Sequence, residues 1–169
     1  DYWWWVDGLY MVMPVMTKLY AVTENPLYLE KLHKYFSYAK NLMYDPETCL
    51  FYRDAKYIYP KHRTENGLKD FWARGNGWFF AAIPKILKVL PETDKHRSEY
   101  IQIYQSIAKT LVYTQQPGGY WTRSMLDPQQ APGPETSGTA FFAYGLLWGI
   151  NNGLLDKEIY EPPTLKAWD

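Results

Sequence analysis

Residues 26–53 read PLYLEKLHKYFSYAKNLMYDPETCLFYR, and residues 94–123 read DKHRSEYIQIYQSIAKTLVYTQQPGGYWTR. Both begin with a helical pattern of apolar residues, pass through a turn, and close on aromatic residues followed by an arginine. The two arginines, Arg53 and Arg123, are 70 positions apart. Similarity at a fixed period indicates stacked copies of one unit, which here consists of two helices and a long excursion.

Helical patterns also dominate the rest of the chain. They predict helices over about 8–22, 26–44, 76–90, 94–116 and 136–152, and Pro162 with Pro163 is expected to open a sixth. No alternating strand run is present, so the fold class is all-α. A stacked helical-hairpin array or a closed α/α toroid is favoured over an ordinary bundle, because bundles have short connections.

Composition argues against several classes of function. Eighteen basic residues balance eighteen acidic ones, which disfavours nucleic acid as a partner. No apolar run reaches transmembrane length, so no membrane partner is expected. With three histidines and one cysteine, Cys49, no zinc cluster is predicted. Aromatic residues make up 18% of the chain, which suits either a core or a sugar-binding cleft.

The start of the chain is unusual. Residues 1–6, DYWWWV, lack an initiator methionine and the shape of a signal peptide. Three successive tryptophans at an exposed terminus would favour aggregation. We therefore expect residues 1–169 to be a fragment of a larger domain, the alternative being a mature terminus left by cleavage.

Asp7 is the first candidate catalytic residue. It lies between the apolar residues 3–6 and a predicted helix. An acid in apolar surroundings tends to keep its proton, which suits a general acid. A helix N-terminus would instead stabilise the anion, and a plain N-cap is the simpler interpretation from position alone.

Residues 71–78, FWARGNGW, form the second candidate site. Gly75 and Gly77 would allow a tight, unusual backbone at a helix entrance. A guanidinium pairs bidentately with a carboxylate, and an indole can form the floor under a sugar ring. A capped turn with core tryptophans is an equally good interpretation. The predicted substrate-binding residues are Trp72, Arg74, Asn76 and Trp78.

Arginines follow the aromatic residues in both copies of the repeat. If the toroid closes, equivalent loops emerge at the same end, where Arg53 would contact substrate. A solvated surface position is favoured for Arg123, and also for His62, which lies in a basic triplet.

Residues 134–140, PETSGTA, form the third candidate site. Small hydroxyl residues at a helix start indicate capping by Thr136 or Ser137 first. The alternative is that Glu135, Thr136 or Ser137 contacts the ligand. Three glycines are expected to make one side of this helix thin enough for close packing, namely Gly138, Gly145 and Gly149.

The three motifs resemble, in their order and spacing, glycoside hydrolase family 105, the unsaturated rhamnogalacturonyl hydrolases. They are more distantly similar to family 88, the unsaturated glucuronyl hydrolases. The quoted stretches are 3–11, WWWVDGLYM; 72–78, WARGNGW; and 135–140, ETSGTA. The resemblance implies an (α/α)6 barrel, a six-hairpin toroid, of which this single fragment would supply about half.

The resemblance also implies a reaction without metal or cofactor. The partner would be a lyase-generated oligosaccharide with a C4–C5 unsaturated uronic acid at its non-reducing end. The enzyme hydrates this enol ether, and the resulting hemiketal opens and releases the sugar. Asp7 matches the family's catalytic acid, and Arg74 and Trp78 match substrate-contacting positions. The rest of the barrel would come from residues outside this chain.

Two features depart from the family pattern. A second important aspartate lies upstream in the family, and this chain starts too late to contain it. Better-known members carry histidine where this chain has Arg53, so its substrate preference is expected to differ. The competing hypotheses are a non-catalytic carbohydrate-binding or scaffold protein on the same barrel, and another α/α-barrel glycosidase or epimerase. A location outside the bacterial cytoplasm is favoured over a cytoplasmic one.

Overall fold

A computed structural model describes residues 3–168, and its regular secondary structure is almost entirely helical. The tryptophan-rich start is therefore described from Trp3, which is buried, while Asp1 and Tyr2 lie outside the described residues. A two-stranded antiparallel sheet joins β1 (Tyr44–Asp45) to β2 (Leu50–Phe51). The helices in the described part are α1 (Asp7–Thr23), α2 (Leu27–Met43), α3 (Ala73–Leu87), α4 (Arg97–Thr114), α5 (Thr136–Asn151) and α6 (Lys157–Trp168).

The helices form three consecutive hairpins. Helix α3 packs between α1 and α5, so these three helices lie side by side. Each also packs against the helix that follows it in the chain, α2, α4 or α6. The all-α prediction is confirmed, and the alternation of two helix layers agrees with the predicted array of hairpins.

The centre of the core is α3, in which twelve of the fifteen residues are buried, since it has neighbours on most sides. Its contact with α5 is close, because a Cβ added to Gly145 would lie 2.5 Å from the Phe80 ring. Farther along α5, Gly149 faces the Tyr104 hydroxyl in the same way. The prediction that α5 has one thin side is confirmed.

The internal repeat is visible in the backbone hydrogen bonds. The Val6 N–H donates to the Arg53 carbonyl at 3.0 Å, and the Ala73 N–H donates to the Arg123 carbonyl at 2.9 Å. In each unit, the segment after the second helix thus returns to the residues that open the first helix. The predicted equivalence of the two arginine loops is confirmed.

Several predicted boundaries are wrong. Helix α3 begins at Ala73 rather than near 76–78, so Gly75 and Gly77 lie in a regular helix instead of an unusual turn. Helix α6 begins at Lys157, because the Asp156 carboxylate accepts from the Glu158 N–H at 2.9 Å and caps it. Pro162 and Pro163 therefore lie inside α6 rather than opening it.

None of the described helices combines the length and the hydropathy that a membrane crossing requires.

Candidate functional site

The N-terminal ends of α1, α3 and α5 meet at one end of the molecule, which we call the rim. A Cβ added to Gly75 would lie 2.5 Å from Val6 Cγ1, and one added to Gly77 would lie 3.0 Å from Gly138 Cα. The glycines therefore permit the three helix starts to approach closely. Unpaired N–H groups give each helix start a partial positive charge, so the rim favours anionic ligands.

Asp7 is the first residue of α1 and its side chain is 23% exposed. Its Oδ2 atom lies 3.7 Å from Nε of Arg74 on the neighbouring helix α3. Val6 occupies the N-cap position without a side-chain cap hydrogen bond. The interpretation of Asp7 as a plain N-cap is therefore wrong, and its carboxyl group is available at the rim.

Burial raises the pKa of Asp7 above its ordinary value of 3.8, because removal from water disfavours the carboxylate. The positive charges of Arg74 and Arg53 act in the opposite direction, as does the backbone N–H of Asp7 itself. Burial is the larger effect, so the environment shifts the pKa of Asp7 upward, toward the protonated form, although a cation lies next to it.

Three guanidinium groups surround the indole of Trp72. The guanidinium carbons of Arg53, Arg74 and Arg123 lie 5.2, 5.5 and 5.0 Å from the ring centroid. These are cation–π distances, so one ring supports all three cations. Arg53 also lies 5.0 Å from the centroid of the Tyr57 ring. The prediction that Arg123 is merely solvated is wrong, since it joins Arg53 and Arg74 at the rim.

Buried carboxylates hold two of these arginines in place. Nη1 of Arg53 lies 2.9 Å from Asp54, and Nη1 of Arg123 lies 3.3 Å from Asp70. Asp70 also accepts from the Trp72 indole N–H at 3.2 Å. Although burial alone would raise the pKa of Asp70, the donors around it outweigh burial and lower it. Asp70 is therefore a stable anion that orients the ring and one cation.

His62 belongs to the same cluster. Its Nε2 lies 3.1 Å from Asp70, and its ring centroid lies 4.2 Å from that of Tyr57. The prediction of a solvated histidine is therefore wrong. The loop that carries it folds back onto the carboxylate beside Trp72, a contact that the basic sequence around it does not indicate.

Trp78 lies one helical turn after Arg74 and faces α1 and α5. Its ring centroid is 4.5 Å from that of Tyr10 and 4.4 Å from that of Phe141. The ring is half-buried, so an edge remains open to a ligand. Tyr10 follows Asp7 by one turn of α1, which places an aromatic pair directly below the pair of Asp7 and Arg74.

Asn76 is fully buried and lies below the rim surface. Its Oδ1 accepts from the Phe51 N–H at 2.8 Å, and its Nδ2 donates to the Phe51 carbonyl at 3.0 Å and to the Trp72 carbonyl at 3.1 Å. These bonds occupy the amide and fix β2 to α3. Arg53, two residues after Phe51, is thereby held near Asp7. The geometry assigns Asn76 to positioning and leaves no face of it for the predicted substrate contact.

Glu135 caps α5, since its Oε2 accepts from the Gly138 N–H. The Ser137 hydroxyl donates to the other carboxylate oxygen, Oε1, at 2.6 Å. The prediction of a hydroxyl cap is therefore wrong, and the side chains of both residues are engaged at the helix start. Thr136 is exposed and lines an apolar groove between α5 and α6.

Sequence reasoning missed four residues of this site, Tyr10, Asp54, Tyr57 and Asp70. Asp54 directly follows Arg53, and Asp70 lies two residues before Trp72, so adjacency to predicted site residues was the available signal. Tyr10 lies inside the quoted stretch 3–11, which was the available signal, and nothing local distinguishes Tyr57 from the fifteen other tyrosines.

Comparisons with known proteins agree on the family. The sequence profile of Glycosyl Hydrolase Family 88 matches residues 1–169. A curated relative from Formosa agariphila, an unsaturated 3S-rhamnoglycuronyl hydrolase, is 38% identical over 98% of this chain and 45% of its own length. The structure of a family 88 glycosyl hydrolase from Bacteroides vulgatus is 65% identical, with a TM-score of 0.98 over 99% of this chain and 48% of that one.

A further solved structure, described as a polysaccharide lyase, is 67% identical and has a TM-score of 0.97 over 99% of this chain and 48% of that one. This chain therefore spans less than half the length of the relatives it matches. Because the family profile covers the whole chain, the protein belongs to Glycosyl Hydrolase Family 88, one of the two related families that its motifs resemble.

Proposed function

We propose that this chain supplies the acid-bearing half of the active site of a hydrolase that removes a 4,5-unsaturated uronic acid from the non-reducing end of oligosaccharides. The observation that carries the proposal is the pair of Asp7 and Arg74. A half-buried acid with a raised pKa lies 3.7 Å from a guanidinium at a cationic and aromatic rim. The name of the Formosa agariphila relative, an unsaturated 3S-rhamnoglycuronyl hydrolase, supports this substrate class.

In the proposed reaction, protonated Asp7 transfers its proton to C4 of the enol ether. The C4–C5 double bond supplies the electron pair of the new C–H bond, and the positive charge at C5 is shared with the ring oxygen. The nearby guanidiniums stabilise the Asp7 carboxylate that forms. That carboxylate then accepts a proton from the water that adds to C5. The hemiketal opens, and the C1 sugar bond is lost without direct attack at C1.

Arg74 is proposed to bind the uronate carboxylate, because its side chain is more exposed than that of its partner Asp7 and lies beside it. Arg53 lies close enough to influence the same acid and would share this anion. Trp78 offers ring surface for the sugar, and contact between the sugar and Trp72, whose ring borders three guanidiniums, stays a prediction. Contact between Thr136 and the ligand stays a prediction.

The number of guanidiniums suggests a second anionic group on the substrate. One uronate carboxylate occupies one bidentate guanidinium, whereas Arg53, Arg74 and Arg123 all border Trp72. A sulfated or doubly acidic oligosaccharide would use the N–H groups of Arg53 and Arg123 other than the Nη1 groups that contact Asp54 and Asp70.

The test uses the full-length protein that contains this chain and oligosaccharides produced by polysaccharide lyases. Hydration destroys the conjugated double bond, so absorbance near the ultraviolet maximum of the unsaturated uronate is expected to fall. Asp7→Asn should lower kcat by at least about 100-fold, because it removes the proton donor. Asp156→Asn is the matched control, since asparagine caps a helix as well as aspartate does.

Four results would reject the proposal. Full activity in Asp7→Asn would remove the acid from the mechanism. Sugar binding without turnover in the wild-type protein would indicate a carbohydrate-binding scaffold. Turnover confined to saturated sugars would indicate another glycosidase or an epimerase. A rise in absorbance with intact polysaccharide would indicate a lyase, the activity by which one similar structure is described.

A further inference from the structure

A second cluster of chemically active side chains joins α2 to the start of α4. It contains His33 on α2, His96 directly before α4, and Glu99 in the first turn of α4. The two imidazole rings are nearly parallel, with an interplanar angle of 8° and centroids 3.1 Å apart. The sequence predicts no zinc cluster, because it has only three histidines and one cysteine. His33 and His96 are far apart in the chain, and the fold brings them together.

The ligand atoms of the three side chains converge. One nitrogen of each histidine and one carboxylate oxygen of Glu99 all lie within 4.8 Å of one another. Ligand atoms around a tetrahedral Zn²⁺ lie about 3.3 Å apart, given metal–ligand distances of about 2.0–2.1 Å. Stacked rings carry nearly parallel nitrogen lone pairs, so at least one imidazole must rotate out of the stack for the three atoms to reach one ion.

His33 provides an independent observation. Its Nε2 lies 3.2 Å from the Ser37 hydroxyl, which fixes the orientation of the ring. Its Nδ1 is buried and has no hydrogen-bond partner among the described residues. That nitrogen lies 3.9 Å from Oε2 of Glu99. A buried polar atom without a partner requires an explanation, and a metal ion held between this nitrogen and Glu99 would supply one.

Glu99 is already oriented for this role. Its Oε1 pairs with the Lys40 ammonium, while Oε2 faces His33. A carboxylate held by one oxygen can offer the other to a metal ion, as in the outer shells of known metal sites. The histidines border a surface cleft that also contains Leu29 and Asp94, so an ion has a path from solvent.

We propose that His33, His96 and Glu99 bind a divalent transition-metal ion of the Zn²⁺ type, which clamps α2 to the start of α4. Two imidazoles and one carboxylate suit Zn²⁺, Ni²⁺ or Cu²⁺ rather than Mg²⁺ or Ca²⁺, which prefer oxygen ligands. The fourth ligand is a water from the cleft. The site is independent of the proposed hydrolase reaction, and its role is to stabilise the folded protein.

The experiment uses full-length protein that has been stripped with EDTA and dialysed. Thermal unfolding is followed as ZnCl₂ is added, and binding of Co²⁺ is followed by its visible absorption. The melting temperature is expected to rise with metal concentration, since an ion that binds only the folded state stabilises it. MgCl₂ at the same concentrations should leave the melting temperature unchanged.

Variants locate the site. His33→Phe and His96→Phe keep a flat ring but remove the nitrogens, and each should weaken Zn²⁺ binding at least about tenfold. Glu99→Gln keeps the side-chain shape and should also weaken binding, which covers the case in which a phenylalanine variant does not fold. His62→Phe is the matched control and should bind Zn²⁺ like the wild type. The proposal would be overturned if ZnCl₂ left the wild-type melting temperature unchanged. It would also be overturned if ZnCl₂ raised the melting temperatures of the wild type, His33→Phe and His96→Phe equally.

Discussion

The protonation state of Asp7 results from two opposing environments. Burial against the apolar first turn of α1 disfavours its carboxylate, whereas Arg74 and Arg53 favour it. An acid with a raised pKa can transfer its proton to an electron-rich carbon, and the carboxylate that forms is stabilised by the adjacent arginines. The same side chain can therefore serve first as acid and then as base.

The raised pKa has a consequence for stability. Above the pKa of folded Asp7, the native state carries a half-buried carboxylate. This carboxylate has a lower free energy in the unfolded chain, where water solvates it fully. Asp7→Asn should therefore raise the melting temperature of the full-length protein at neutral pH while it removes activity. The gain should shrink as the pH falls toward 3.8, where the unfolded group also becomes protonated. Thermal denaturation across this pH range measures it, and a loss of stability at neutral pH would contradict it.

Arg53 should tune the acid through its charge. It lowers the pKa of Asp7, so Arg53→Gln is expected to raise that pKa further. The protonated form then persists to higher pH, and the alkaline limb of the profile of kcat/KM against pH should shift to higher pH. The position of this limb reports the free enzyme, even if weaker substrate binding lowers kcat/KM overall.

Arg63→Gln provides the control for this charge change, because Arg63 is exposed in the excursion that follows β2. It removes the same charge and should leave the limb where it is. An equal shift in both variants would mean that net charge, rather than the position of Arg53, controls the acid.

At this scale the sequence drew attention to Asp7, Arg74 and Arg53, which the structure brings together, but not to the residues that support them. Asp7, Arg74 and Arg53 carry chemistry that residue type and motif reveal. The burial of Asn76 depends on β2, 25 positions earlier in the chain, and the contact between His62 and Asp70 depends on how the long loop folds back on itself. No local pattern encodes such a return.

Among the elements, the helix starts were the hardest positions to predict from the sequence. Helical periodicity predicted five helices with small boundary errors, because their buried faces repeat every three to four residues. The start of α3 was missed because Trp72 has no capping side chain, and the start is held instead by the bond from Ala73 to the Arg123 carbonyl. The start of α6 was missed because the prolines outweighed the Asp156 cap.

Gly75→Ala tests the close approach of α1 and α3. The added Cβ would lie 2.5 Å from Val6 Cγ1 and 3.4 Å from Oδ1 of Asp7, so the helices must separate. We expect a loss of about 1–3 kcal/mol in the free energy of unfolding, as for other overpacked cores. Activity should fall as well, since Asp7 and Arg74 move apart. Urea denaturation and kcat/KM of the full-length variant measure the two effects.

Gly8→Ala is the matched control, because Gly8 also lies in the first turn of a helix. Its added Cβ would make ordinary contact with the Trp5 ring at 3.5 Å. Alanine favours a helix over glycine by up to about 1 kcal/mol, so stability should hold or increase. Equal losses in both variants would attribute the effect to the first turn in general.

For the whole molecule, the two sides of the helix row expose apolar residues at regular spacing. On α1 these are Met11, Val15 and Leu19, and on the opposite side Leu147, Leu165 and Trp168 are exposed. Since the chain spans less than half the length of its relatives, we propose that further helical hairpins of the full protein cover both sides and close the barrel.

Val15→Lys in the full-length protein tests this closure. If a hairpin covers α1, the substitution buries an unpaired ammonium and should lower the free energy of unfolding by at least about 2 kcal/mol. Tyr113→Lys is the control, because Tyr113 is 88% exposed on α4 and should change stability by less than about 0.5 kcal/mol. Chemical denaturation compares the two variants, and similar small losses would mean that α1 stays open in the complete protein.

The hydrogen bonds from Val6 to Arg53 and from Ala73 to Arg123 have an evolutionary consequence. Each arginine is fixed by its own carbonyl before the following loop begins. Insertions or deletions farther along those loops can therefore accumulate without displacing the guanidiniums. If the proposed function holds, a lineage of such enzymes could change which neighbouring sugars it accepts by altering loop length alone, while the arginines at the rim keep their positions.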